Sequence, residues 1–503
     1  MINHKKNWFI YIFLALWLVI FFGSIPAYEG SKLTYSYFSF TYLILVLYGA
    51  TCAKKSYSCI FLSIFLWLGL WFKLAFSLFL LGIFSFGEPV GNFNSSPQSW
   101  DMVLNVASIG ALGFIFAIAI ISQGKFNDYY AQKLPQSPKW YPRHRRMLWM
   151  ALLVFIVVIA CANVVFGVHQ VGIVPKTIFH WPINALVAWC INIGTALAIS
   201  VMMAWDISAE KKLTLSVGTM FIEALFNSVS LISRAHYIWH TAPQIFSLNQ
   251  LDNKLKENHR GKAFLLMAIF SLLFILSVYS VSKLRDHQYI DTLATATSPP
   301  ICNINDLPSA ITGFGMQYVE HFCPKPNKYL FSQEKKSASA LPPRSFRMLL
   351  IYQIFVNRWI GLEGIMAVSS YSHQGVDLLI AGVLEGRKNG SVDLYQKISQ
   401  SGYQIPDLNY QFSTLPGIIA FAFYSGSLVL VFVTVLLFTC VAFIFERVVF
   451  TLTKNPIYCS IVGALIASGI AQFGIAPLQD AKMYLMLLAF SLVICGLQSA
   501  VKK

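Results

Sequence analysis

Charge is what this sequence has least of. Only 12% of its 503 residues are Asp, Glu, Lys or Arg, about half the share in a soluble globular domain. Acidic residues are the scarcer kind, 21 against 37 basic ones. That shortage excludes a soluble enzyme of ordinary composition, and a disordered chain as well, since disorder needs charge and polarity. Several motifs are missing too. No CxxC, HExxH or carboxylate ladder offers a metal site, and no GxxxxGK[ST] loop offers a cradle for nucleotide phosphates. No metal or other cofactor is expected, and ATP-driven work by this chain is not expected either.

Long apolar runs are what the sequence has instead, with 56% apolar and 15% aromatic residues. A run of about 17–25 apolar residues spans a hydrocarbon core of about 30 Å as a helix. Such runs lie near 8–23, 35–52, 58–86, 101–122, 147–168, 182–205, 213–232, 263–282, 415–445, 456–473 and 482–499. A shorter run at 236–250, with His236, His240 and Pro243, is read as a partial twelfth span. The expected fold is all-α, a polytopic membrane helix bundle of about 12 spans. Runs 58–86 and 415–445 exceed one span, so they must tilt, kink or extend into the interface. Runs of this length also argue against nucleic-acid binding, despite a net charge of +16.

Lysine and arginine set the sidedness. With the N-terminus inside, short inner segments hold 20 of the 37 basic residues and short outer segments hold 4. Cytoplasmic loops retain positive charge, so both termini are expected in the cytoplasm. Parity then places the one large loop outside. The organisation expected is an N-terminal membrane bundle at 1–282, an extracytoplasmic loop at 283–414 and C-terminal membrane helices at 415–503.

Within the loop, the apolar segment Met348–Tyr371 carries Asn357, Arg358 and Glu363. An arginine at a bilayer centre costs about 2.5–3.5 kcal/mol on insertion scales, so an interfacial or re-entrant helix is expected rather than another span. Seven of the nine cysteines lie in or beside spans, where a thiol is a small hydrophobe. The other two, Cys302 and Cys323, lie in the loop, where an oxidising compartment would let them form a disulfide.

Ionisable residues inside spans are costly and therefore informative. On the expected helix 213–234, Glu223, Asn227, Ser230 and Arg234 fall at i, i+4, i+7 and i+11, within about 60° of arc. Such a stripe is either a hydrogen-bonded seam or the wall of a wet cavity. Lys73 lies deep in its run and needs a partner. Glu223 is the carboxylate expected at comparable depth, and the functional alternative is contact with a lipid-linked phosphate. His180 is a further polar candidate on the outer side. Arg234, Arg344, Arg347 and Arg358 are guanidinium groups suited to phosphate oxygens, and Glu363 is placed to deprotonate an incoming hydroxyl.

Two segments carry a resemblance. Ser228-Val229-Ser230-Leu231-Ile232-Ser233-Arg234 ends a span in a Ser-Arg pair, and Asn357-Arg358-Trp359-Ile360-Gly361-Leu362-Glu363-Gly364 sits in the loop. With the span number and the late loop, the chain resembles the Wzy-type O-antigen and oligosaccharide repeat-unit polymerases of bacterial inner membranes. The resemblance implies a metal-independent, inverting glycosyl transfer. A glycan on undecaprenyl diphosphate would be moved to the next lipid-linked repeat unit, with a chain-length regulator as a further partner. Arg234 and Arg358 would hold the diphosphate and stabilise it as it leaves. A lipid-linked oligosaccharide flippase and an O-antigen ligase are the alternatives. A flippase usually has repeated halves, which this sequence lacks.

Overall fold

A computed structural model describes residues 4–52, 55–84, 88–124, 126, 128–129, 134–171, 175–251, 260–295, 356, 359–386, 393–400, 415–475 and 477–502. The described residues are helical, with no strand among them. Nine of these helices are long and apolar enough to cross a membrane. The protein is a multi-pass all-α membrane protein.

The chain begins with α1 (His4–Ser24), α2 (Lys32–Thr51) and α3 (Tyr57–Leu66). A π-helical turn, Trp67–Phe72, joins α3 to α4 (Lys73–Leu81), so the overlong run at 58–86 is one span with a widened turn inside it. Next come α5 (Pro97–Gln123), α6 (Tyr141–Phe166) and α7 (Trp181–Trp189). A second π turn, Cys190–Gly194, leads into α8 (Thr195–Ser208). Helices α9 (Thr214–Ser230), α10 (Arg234–Leu251) and α11 (Arg260–Thr295) complete the first part.

Three short helices follow: α12 (Glu363–Ser369), α13 (Val376–Leu384) and α14 (Leu394–Ser399). The run expected at 415–445 is not one helix. It breaks into α15 (Ile418–Ala422), a 3-10 turn at Phe423–Ser425, and α16 (Leu428–Thr453). Gly426, at φ 69°, ends the first piece in the left-handed region, and the Ser427 hydroxyl caps the second by accepting from the Leu430 N–H. The last two helices are α17 (Pro456–Ala471) and α18 (Pro477–Lys502). Three expected spans, 213–232, 236–250 and 456–473, correspond to α9, α10 and α17; α9 and α17, at 17 and 16 residues, fall outside the nine on length, and α10, at 18 residues, on hydropathy.

Hydrogen bonds sort the connections into two ends. At one end, Glu446 near the close of α16 meets the start of α3, and Arg145 near the start of α6 meets Asp206 near the close of α8. At the other end, Asn163 of α6 meets Ser230 of α9, and Asp101 of α5 meets Tyr28 and Ser31. The described residues of 363–386, 393–400 and 415–427 lie at that second end, called here the loop end.

The expectation for 348–371 is corrected in extent. Residues 348–355, 357 and 358 lie outside the described residues, and among the described ones the helical part is α12. Leu362 through Val368 are buried, packed against α5 and α15. The segment enters the bundle rather than lying on it. Its close approach needs glycine on both sides. A Cβ on Gly69 would stand 2.0 Å from the Ile360 carbonyl oxygen, and one on Gly364 would stand 2.2 Å from that of Pro416. Backbone cannot yield as a side-chain tip can.

Gly69→Ala is therefore expected to cost at least the roughly 1–3 kcal/mol of an overpacked core. Gly218, on α9, has nothing within 4 Å of an added Cβ, so Gly218→Ala is expected to be neutral or to stabilise by up to about 1 kcal/mol. Thermal unfolding of the two variants in the same detergent checks the pair. Equal midpoints would mean that residues 359–361 do not pack on Gly69.

Candidate functional site

Three buried ionisable clusters lie inside the bundle, each where helix geometry exposes a backbone group or lets chain segments meet closely. The first joins the loop to the bundle. Lys73 Nζ lies 2.6 Å from Glu363 Oε1, with the two side chains 1% and 2% exposed. Nζ also donates to the Trp359 carbonyl at 3.1 Å. Lys73 is eight residues before the end of α4 at Leu81, so the pair sits about 12 Å below the loop end. This corrects the expectation that Lys73 pairs with Glu223. The helix carrying Glu223 packs on α6, α8, α10 and α11, whereas α4 packs on α1. The re-entering segment supplies the carboxylate instead. Glu363, expected as a general base, is engaged as an anchor.

Glu223 has a different partner, His240 of α10. Its Oε1 lies 2.8 Å from His240 Nδ1 and accepts from Asn227 Nδ2 at 2.8 Å, with the Thr195 hydroxyl at 2.7 Å. On its far side, His240 Nε2 lies 2.8 Å from the Asn192 carbonyl oxygen. A carbonyl only accepts, so Nε2 bears a proton. Asn227, Thr195 and His240 thus converge on Oε1, and the imidazole bridges the carboxyl group of α9 to the second π turn. Asn192 lies in the second π turn, where the widened backbone presents its carbonyl sideways.

The stripe on α9 is thus a buried seam. Glu223 and Asn227 are fully buried, and the Ser230 hydroxyl accepts from Asn163 Nδ2 at 2.8 Å. Arg234 does not belong to that face. Helix α9 ends at Ser230, and Arg234 opens α10 after a tight corner. In the corner, Ile232 adopts φ 56°, a strained conformation for a β-branched residue. The Ser233 N–H returns to the Ser228 carbonyl at 2.9 Å, and the Val171 N–H reaches the Leu231 carbonyl at 2.9 Å. Arg285 Nε donates to the Ile232 carbonyl at 3.1 Å. Two guanidinium-bearing residues, Arg234 and Arg285, thereby meet one corner at the loop end, both half-buried.

Compared with protein-family models, curated proteins and solved structures, the chain matches none of them. The site therefore stands on its own geometry.

The third cluster, at the opposite end, closes the bundle. Glu446 accepts from the Ser56 hydroxyl, the Tyr57 and Ser58 N–H groups and the Tyr129 hydroxyl, all within 2.7–2.8 Å. A carboxylate at the N-terminus of α3 also complements the helix dipole. The neighbouring Arg447 guanidinium lies 4.6 Å from the Tyr129 ring centroid. At the same end, the half-buried Arg145 grips Asp206 through two nitrogens, at 2.6 and 2.8 Å. These arginines are structural clamps.

Among the remaining expected site residues, His180 is exposed at the start of α7. Arg344, Arg347, Arg358, Cys302 and Cys323 lie outside the described residues. The reading of the sequence missed Arg285, because it ended that span at 282 and placed 285 in the loop. The uninterrupted stretch from Ser282 to Thr295, with neither Gly nor Pro, was the available signal.

Breaking the buried pair from one side leaves the other charge uncompensated, at about 3–5 kcal/mol. Glu223→Leu and His240→Leu are each expected to lower the unfolding midpoint strongly, and the double variant to recover part of the loss. Thermal melts of all three test this. A double variant as damaged as the sum of the singles would show that the two groups are not coupled.

Proposed function

We propose that the protein is a membrane-embedded glycosyltransferase that joins undecaprenyl-diphosphate-linked repeat units at its loop end. In this reading it sits in the bacterial plasma membrane with both termini cytoplasmic, as the bias of 20 to 4 in short-loop basic residues supports. The observation that carries the proposal is the corner at 231–233 at the loop end of the bundle, which Arg234 follows directly and to whose Ile232 carbonyl Arg285 donates. Guanidinium groups at a membrane surface suit a diphosphate whose polyprenyl tail stays in the bilayer.

The chemistry asked of that corner is specific. The acceptor hydroxyl attacks the anomeric carbon from the face opposite the diphosphate and loses its proton. The carbon–oxygen bond to the diphosphate breaks, and the lipid diphosphate departs with the electron pair. Positive charge held in place where negative charge grows lowers the barrier without reorganisation. Arg358 is the companion that the family resemblance implies. The anchored segment supports an enzyme over a flippase. Alternating access requires one part of the bundle to rock against another, whereas Lys73 and Glu363 pin the loop between helices. A ligase would share this mechanism and differ in its acceptor.

Purified protein in nanodiscs, supplied with a lipid-linked repeat unit, is expected to produce a ladder of longer glycans. Arg234→Ala and Arg285→Ala are each expected to slow extension by about 100-fold or more, the usual loss of one stabilising donor. Wild-type rates in both variants would overturn the assignment, and so would the lack of any extension by the native protein.

A second reading rests on the Glu223–His240 pair, because titratable pairs inside spans also serve proton-coupled transport. It predicts that a pH gradient drives a lipid-linked saccharide across proteoliposomes, and that His240→Leu stops it. Extension of repeat units without such movement would exclude it.

A further inference from the structure

Helix α13 lies in the part of the chain read as extramembrane loop, yet one of its faces is apolar and uncovered. Val376, Ile380, Val383 and Leu384 are 56%, 50%, 42% and 67% exposed. At 100° per residue, these four positions fall within about 100° of arc. Asp377, also exposed, borders the arc, and Gly382 on the reverse side is buried against Phe421 and Tyr424. The helix is therefore seated on the bundle by one side and presents large hydrophobes on the other.

Its neighbours indicate what it faces. The Gly375 N–H donates to the Tyr424 carbonyl at 2.8 Å, which fixes the start of α13 beside the turn at 423–425. Only two residues later α16 begins, and its first turns also expose apolar side chains, Val429 at 71% and Val433 at 38%. On its other flank α13 packs on α18, a spanning helix with Leu485 66% exposed. The spanning helices on both sides of α13 thus also expose large apolar side chains.

We propose that α13 is an interfacial helix, lying at the headgroup boundary of the loop-end leaflet with Val376, Ile380, Val383 and Leu384 among the acyl chains. A helix that lies in that plane buries its apolar face at the boundary between headgroups and acyl chains. Asp377 at the edge of the arc, and Glu385 just beyond the helix, stay at the water side. The occupant is phospholipid acyl chain. The other available occupant is the undescribed part of the same loop, residues 296–355.

The test uses the full-length protein in nanodiscs containing a phospholipid with a photoactivatable diazirine on its acyl chain. After illumination, labelled peptides are mapped by mass spectrometry. Labelling of 376–384 comparable to that of 428–437 is expected. Ile380→Glu is expected to abolish labelling at 376–384 and to leave it intact at 428–437, which shows that the variant is folded. Labelled 428–437 beside unlabelled 376–384 in the native protein would overturn the proposal and assign the face to residues 296–355 or to water. Equal labelling of 376–384 with and without Ile380→Glu would overturn it as well.

Discussion

An ammonium and a carboxylate 2.6 Å apart, both removed from water, tie the re-entering segment of this protein to the first part of its bundle. Lys73 belongs to the first part of the bundle and Glu363 to the segment that re-enters it. Neither charge can stay in a low-dielectric interior alone. Their attraction therefore dictates that residues 359–369 remain inside. Much else at the loop end follows from that insertion: the bare backbone at Gly69, the Trp359 carbonyl turned toward Nζ, and the Gly364–Pro416 contact beside α15. Gly91 joins the same assembly through its N–H, which donates to the Ser399 carbonyl.

Two of the buried pairs share a device. Each lies against a π-helical turn, Trp67–Phe72 for Lys73 and Cys190–Gly194 for His240. In an α-helix the backbone groups are consumed along the axis, and in lipid none can be left unsatisfied. A widened turn releases a carbonyl or brings a neighbouring backbone close without breaking the span. Polar groups of α9, α10 and the second π turn then meet one another, while Glu223 Oε2 and Asn227 Oδ1 stay buried without a hydrogen-bond partner among the described residues.

Most of the architecture was legible from apolar run length, because the thickness of a bilayer imposes it. Lys73 and Glu223 were legible as groups needing partners, since an ionisable residue in a span is conspicuous. Their actual partners were not. Pairing across 290 residues depends on how a loop folds back, and neither periodicity nor hydropathy encodes that. The π turns were hidden as well, since Trp67-Leu68-Gly69-Leu70-Trp71-Phe72 reads as any apolar helix. The corner at 231–233 was masked by unbroken hydrophobicity, and Ile232 is the last residue one would place at positive φ. Glu446 escaped notice because the apolar run appeared to end at 445, although Val448–Phe450 continued it.

The direct measurement is a charge exchange between Lys73 and Glu363, read by thermal unfolding and by the fraction of protein that stays monodisperse in detergent. Lys73→Glu and Glu363→Lys, made singly, should each yield an unstable, aggregating protein, and the two together should restore much of the native midpoint. A combined variant no better than the worse single one would show that the contact does not hold the loop in place.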